Sequence, residues 1–414
     1  MKSDTHDVVV IGSGIIGVTI AWELSKAGRE VLLMDHNEPG MGCSYGNAAH
    51  FATEQIFPIA NRENLKNLPR YLMSSDSPLT FKKSSLHRLI PWGLRYLMAT
   101  RESVFHKGTA ALNALNKQSL PAWRELLTEI GALDMLHSPG TLQLAESRKG
   151  AAELANLHQE LKAYDVPSTL LDTREVMKLL ENLPAGDYTG LYFPDTAYCD
   201  DPHAFLLEVF KACLNREVSF VRQNAQHVAS DGMGGLSVIT DTSTVRAKSV
   251  VIACGVHSKT LVEPLGYRVP MIAERGYHLL LPAAGTELPL PITLHERQFI
   301  MTPMAGSVRL AGTVEFAGVD DPPTMKRANM LFDQARYLFP DLNDDGATQW
   351  MGNRPTMPDY LPVIDHLDRV GQVFVSYGHA HLGLTQAAIS ARLLTDMMLG
   401  NASSIDHRAY RIDR

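Results

Sequence analysis

Gly12, Gly14 and Gly17 stand in the spacing G-x-G-x-x-G directly after DVVVI, Asp7 to Ile11. A helical stretch from about Ile15 to Gly28 follows, then REVLLMD from Arg29 to Asp35. Strand, glycine turn, helix and strand make a βαβ unit, and its chemistry is dinucleotide binding. Gly12 permits the tight turn, Gly14 lets the backbone approach a pyrophosphate, and Gly17 lets the helix pack closely on the strand. The helix opened by Ile15 and Ile16 offers free N–H groups and a positive dipole end to the phosphates. Asp35, followed by His36, can accept hydrogen bonds from the adenosine ribose and would repel a 2′-phosphate, which disfavours NADP. FAD and NAD both use this unit, so spacing alone leaves the two open.

The elements that must position this unit are spread over the chain. With 414 residues the sequence exceeds what one core usually spans, so two domains are expected. A buried strand is expected at SVVIA (Ser249 to Ala253), and another at Val373 to Ser376 before a helix from about Leu384 to Leu399. Residues from about Asn61 to Gly131 read as helical with breaks at proline, and Pro202 to Leu214 as a helix. From Arg268 to Thr313 short alternating segments such as YHLLL predict an antiparallel sheet. The expected architecture is α/β: a discontinuous Rossmann-like domain (1–60, 196–262 and 345–414) with an inserted α+β substrate domain (61–195 and 263–344).

Composition excludes some classes. A formal net charge of −7 argues against nucleic-acid partners. Cys43, Cys199, Cys213 and Cys254 show no CxxC spacing and read as reduced thiols of a cytoplasmic protein. The polar leader before Asp7 carries no secretory pattern, and no run of about 18 apolar residues predicts a transmembrane helix. LIPWGLRYLM, Leu89 to Met98, is flanked by Lys82, Lys83, Arg88 and Arg101; it reads as an amphipathic helix of the second domain or as a peripheral membrane contact.

Several separated motifs carry a resemblance. Gly42 to Ala48 (GCSYGNA), Val250 to Ser258, GNRPTMPDYLPVI (Gly352 to Ile364) and SYGHAHLGLT (Ser376 to Thr385) resemble, in order, motifs of the D-amino-acid oxidase and dehydrogenase superfamily. The subgroup most similar is the bacterial D-amino-acid dehydrogenases, including D-arginine and D-hydroxyproline types, which the segment Asp76–Ser77–Pro78–Leu79 also resembles. Asp365 departs from the glycine that the family often carries there. The resemblance implies FAD as cofactor. It implies contacts from Cys43, Ser44, Asn47, Ala48 and Ala49 along the pyrophosphate and ribityl chain, from Gln226, Cys254 and Gly255 beside the cofactor, and from Arg354, His381, Leu382, Gly383, Leu384 and Thr385 near the isoalloxazine.

The resemblance also implies the catalytic set. Arg354, over the flavin face, is expected to grip a substrate carboxylate through two parallel hydrogen bonds, against the alternative of a structural arginine in an interdomain salt bridge. His50 is expected to contact the amine or the flavin N5 region and to assist deprotonation, and Tyr277, in ERGYH, to close the pocket or hydrogen-bond a carboxylate; Arg275 and His278 are weaker candidates. His379 and His381, at i and i+2 without a third ligand, predict an active-site wall rather than a metal site, and Cys43 a small loop residue rather than a covalent flavin attachment. The reaction implied is oxidation of a D-amino acid, with proline-like substrates included, to an imino acid by hydride transfer to flavin N5, electrons leaving to a quinone or oxygen. The alternatives are an N-methyl or cyclic amino acid oxidase, or a non-catalytic flavoprotein subunit.

Overall fold

The computed structural model describes residues 5–66, 79–82, 86–232 and 234–414, without the side chains of 86–88. Of the Asp76–Leu79 segment only Leu79 falls among them, and Lys83 lies outside.

The first sheet grows from Thr5–Ile11, in which Val8, Val9 and Val10 are wholly buried. A strand apolar on both faces needs cover on both, and parallel pairing with helical crossovers supplies it. The parallel strands run in the order Ser219–Arg222, Val31–Asp35, Thr5–Ile11, Thr244–Ile252 and Val373–Tyr377. Thr244–Ile252 shares its outer edge between two partners. Leu236–Thr240 pairs antiparallel with its first half, and Val373–Tyr377 pairs parallel with its second. Helix Ile15–Lys26 packs against Gly383–Leu399 and Pro202–Asn215, so the first and last helices of the chain share one core.

The second sheet is largely antiparallel, in the order Thr348–Thr356, Ile272–Leu281, Ser307–Phe316, Phe299–Met304, Ile292–Leu294, Thr141–Ala145, Thr189–Phe193 and Thr169–Leu171. The chain is therefore the expected α/β assembly of a Rossmann-like domain and an inserted α+β domain.

Two segments pack otherwise than the expected boundaries. Thr348–Thr356, expected in the cofactor domain, forms the edge of the second sheet, paired residue for residue with Ile272–Leu280. Helix Glu102–Ile130, expected in the substrate domain, packs against Gly383–Leu399, and the indole N–H of fully buried Trp123 donates to Leu384 O at 2.9 Å. The expected proline breaks also differ: Pro91 lies inside Leu86–Ala99 and Pro121 inside Glu102–Ile130. Around Pro121 the buried Leu120, Ala122 and Trp123 anchor the helix on either side of the missing N–H. Among the described residues no helix is long and apolar enough to cross a membrane.

Candidate active site

A cavity of about 790 Å³ opens between the carboxyl ends of the parallel strands and the outer strands of the antiparallel sheet, the position where open α/β sheets take ligands. The glycine turn and Asp35 line it, as do Arg354 and the loop Ser376–His381.

The turn is built as its spacing requires. Gly12 holds a φ of +107°, and a Cβ on Gly17 would overlap the Gly12 carbonyl oxygen. A Cβ on Gly14, in contrast, would meet only Ser44 Oγ at 3.3 Å, at the cavity wall. The Ile15 N–H donates to that Ser44 Oγ at 2.9 Å. The Asp35 carboxylate is fixed by the Ser13 N–H at 2.7 Å and the Asn37 N–H at 2.9 Å.

Residues 46–48 are gripped by the second sheet through three successive carbonyls. His278 Nδ1 lies 2.8 Å from Gly46 O, Arg309 Nη1 donates to Asn47 O at 2.7 Å, and Thr302 Oγ1 donates to Ala48 O at 2.8 Å. Trp350 stacks on His278 and fills the slot that the missing side chains of Gly46 and Gly352 leave. Sequence reasoning missed Arg309, Thr302 and Trp350, because these contacts join segments remote in the chain.

Of the expected cofactor residues, Gly12, Gly14, Ile15, Ile16, Asp35, His36, Cys43, Ser44, Asn47, Ala48, Gln226, Cys254, Gly255, Arg354, His381, Gly383 and Leu384 line the cavity. Gly17, Ala49, Leu382 and Thr385 stand behind it: Leu382 O accepts the Gln386 N–H at 2.9 Å and Thr385 Oγ1 accepts the Ala52 N–H at 2.9 Å. His257, also in the lining, lies beside His36 and was not anticipated. Cys43 donates its thiol to Asn353 O at 2.7 Å, and burial pushes its pKa up to about 12, which leaves it a protonated thiol.

Arg354 lies on Gly276, whose missing side chain makes room for the guanidinium. Its Nη1 donates to Glu274 Oε1 at 3.2 Å, and the side chain is a quarter exposed toward the cavity. Glu274, buried and not anticipated, also accepts from Tyr360 OH at 3.0 Å and Thr356 Oγ1 at 3.2 Å. Arg354 is thus both ion-paired within its own sheet and part of the cavity wall. His381 lines the same cavity, and burial lowers its pKa to about 4. His379 is tied to Ser390 Oγ at 3.0 Å. Among the described residues no group of three or more His, Cys, Asp or Glu could hold a metal ion.

Two expected catalytic residues need correction. Strand alternation places Tyr277 and Arg275 on the face opposite Glu274, Gly276 and His278. Tyr277 touches the cavity, but its hydroxyl is committed: it donates to Glu315 Oε2 at 2.6 Å and accepts the Thr324 N–H at 3.0 Å. Arg275 is fully buried, paired to Glu315 and donating to Pro322 O. His50 is outside the cavity lining. After Ala49, at a φ of +57°, the chain pairs with Ala197–Tyr198, and His50 Nε2 meets Thr141 Oγ1 at 2.9 Å. Burial lowers its pKa to about 3, so the ring is neutral; it lies 4.0 Å from the buried Glu54, whose own pKa burial raises to about 7.

The family model described as "FAD dependent oxidoreductase" matches residues 7–397. The chain belongs to this family. It is an FAD-dependent oxidoreductase of the class acting on CH–NH2 groups. The chain is 30% identical over 410 residues to a D-amino-acid oxidase of Bradyrhizobium diazoefficiens, covering 96% of each chain. It is 32% identical over 421 residues to a D-amino acid dehydrogenase of Paramagnetospirillum magneticum, covering 98% of each. Its fold is similar to that of glycine oxidase from Geobacillus kaustophilus, with a TM-score of 0.79, 21% identity and 99% of each chain covered. The cleft fits the family cofactor: the bare Gly14 leaves room at the helix terminus, and Asp35 stands fixed at the end of the second strand.

Proposed function

We propose that the protein oxidises a D-amino acid to the imino acid, which water then hydrolyses. The observation that carries this reading is the Arg354 guanidinium, held by Glu274 on one side and turned to the dinucleotide cleft on the other. A planar fork with five N–H groups keeps donors for a carboxylate after giving Nη1 to Glu274. FAD would supply the redox chemistry when bound, as the two-electron acceptor for the substrate's Cα–H.

The glycine turn and Ser44 would hold the pyrophosphate, Asp35 the ribose, and residues 46–48 the length of the cofactor. Arg354 would bind the substrate carboxylate and so fix the direction of Cα–H. A ring with a pKa of about 4, as at His381, is too weak a base to take a proton from an ammonium group. The substrate amine therefore reaches the cleft neutral or releases its proton to water. The D-amino-acid names of full-length relatives support the substrate class. Electrons leave to a quinone, another carrier or oxygen.

Anaerobic flavin reduction across a panel of D- and L-amino acids tests the reading. Bleaching by D-enantiomers supports it, and proline-like members of the panel address the cyclic substrates; a flavin that no amino acid bleaches overturns it.

A further inference from the structure

Arg309 is a buried cation without a counter-ion. It is 5% exposed, yet among the described residues it forms no ion pair, whereas Arg275 and Arg354 of the same sheet are paired with Glu315 and Glu274. Its Nη1 donates to Asn47 O at 2.7 Å, and its Nε has no hydrogen-bond partner. A guanidinium keeps its proton in a protein, so the charge stays. A buried charge is unfavourable unless an opposite charge answers it. Asp201 acts on it only from the surface, where it is exposed and accepts the His203 and Ala204 N–H groups. The other ionisable groups near it are the Tyr45 phenol and the Cys199 thiol, which burial keeps protonated.

The free charge borders the cleft. Asn47, which Arg309 holds by its carbonyl, lines the cleft, and so does Ala311, one pleat along the same strand face. The charge of Arg309 reaches His278, the cross-strand neighbour of Ala311: burial and that charge together lower the His278 pKa to about 4. Arg354, on the far side of His278 and Gly276, is already held by Glu274, and a substrate carboxylate would take its remaining donors. Hydride transfer then changes the balance. The Cα–H bond breaks, its electron pair and proton pass to the cofactor, and the substrate becomes a cationic iminium. When the product departs, the reduced cofactor keeps one added negative charge.

We propose that Arg309 is a positioning residue that sets the redox potential of the bound FAD: it fixes Asn47 along the cofactor and offers its unpaired charge to the negative charge of the reduced form. Inside a buried wall a full charge acts across the thickness of a loop with little screening, and charge near the flavin ring tunes its electronics. The proposal needs the family cofactor but not a D-amino acid as substrate.

The test is a reductive titration of the FAD-loaded protein against a reference dye. Arg309→Gln keeps a donor for Asn47 O and removes the charge. At the wild-type midpoint its ratio of reduced to oxidised FAD is expected to fall at least tenfold, about 30 mV for a two-electron couple. Arg309→Lys, which keeps the charge, is expected to stay close to wild type. So is Thr302→Val, which breaks the neighbouring grip on Ala48 O without changing any charge. Equal ratios in wild type and Arg309→Gln overturn the proposal. So does an equal fall in Arg309→Gln and Arg309→Lys, because packing rather than charge would then set the potential. If Arg309→Gln retains no FAD, Asp201→Asn decides. Asparagine caps a helix as well as aspartate does, and removing the negative charge near Arg309 is expected to raise the ratio; an unchanged or lower ratio overturns the proposal. The titration uses a chemical reductant and no substrate. A protein that no amino acid bleaches can therefore still show the Arg309 effect, and one that D-amino acids bleach can still lack it.

Discussion

The Arg354 guanidinium and the Glu274 carboxylate face each other across one antiparallel register, Nη1 to Oε1 at 3.2 Å. Glu274 is buried, and the Tyr360 and Thr356 hydroxyls hold it in place. It therefore acts as a fixed post that sets the plane of the guanidinium while the other edge faces the cavity.

Releasing that post should loosen the fork without emptying the cleft. Glu274→Gln keeps an acceptor for Tyr360 and Thr356 but loses the charge that holds Nη1. The expected outcome is an intact flavin spectrum and a kcat/KM lower by about tenfold, roughly 1.4 kcal/mol, mostly through KM. Steady-state kinetics beside a flavin titration checks it.

The glycines separate cofactor binding from folding. Gly14→Val places its side chain at the cavity wall and is expected to fold but to purify without FAD. Gly17→Ala drives a Cβ into the Gly12 carbonyl and is expected to lower the unfolding temperature of the apoprotein itself. Flavin content and thermal unfolding of both variants distinguish the two effects.

His50 is expected to matter for stability rather than turnover. His50→Leu removes the partner of the Thr141 hydroxyl, which also receives the Thr196 hydroxyl, and should cost about 1–3 kcal/mol. The sign of the pH effect follows from the depressed pKa. Unfolded, the imidazole takes a proton near pH 6.5; folded, it stays neutral down to about 3. Stability is thus present above pH 6.5 and falls as pH drops through that window. Denaturant unfolding at several pH values should show a shallower acid slope in His50→Leu, with the rate of flavin reduction unchanged.

The low-pH limb of flavin reduction should follow the substrate. Burial lowers the pKa of His381, the imidazole beside Arg354 in the lining, and of His278 to about 4, so both rings are neutral at pH values well above that. Two substrates whose amine pKa values differ should give limbs displaced by the same difference. A limb that stays put for both would return the proton to a protein group.

The local part of this site was legible in the sequence. Gly12, Gly14, Gly17 and Asp35 form one short βαβ unit whose chemistry depends on near neighbours, and the structure builds it so. The long-range part was hidden. Glu274 reaches Arg354 only through a strand register between segments eighty positions apart, and no periodicity reveals a register. His50 follows the glycine-rich loop closely in sequence, which suggested that it shared the loop's cavity. The positive φ of Ala49 and the pairing with Tyr198 turn its ring instead toward Thr141. Tyr277 was displaced by the period of two along a strand, which puts Gly276 beside Arg354 and the tyrosine hydroxyl on Glu315.

If Arg354 orients a D-amino acid against the bound cofactor, stopped-flow flavin reduction in the absence of oxygen reads that role. Wild type and Arg354→Met are mixed with both enantiomers of one amino acid. Fast bleaching of the wild type is expected with the D-enantiomer alone. A loss of two or more orders of magnitude, roughly 3 kcal/mol, is expected in Arg354→Met with the flavin spectrum intact, and partial recovery in Arg354→Lys. Bleaching of Arg354→Met at the wild-type rate, or faster bleaching by the L-enantiomer, would contradict it.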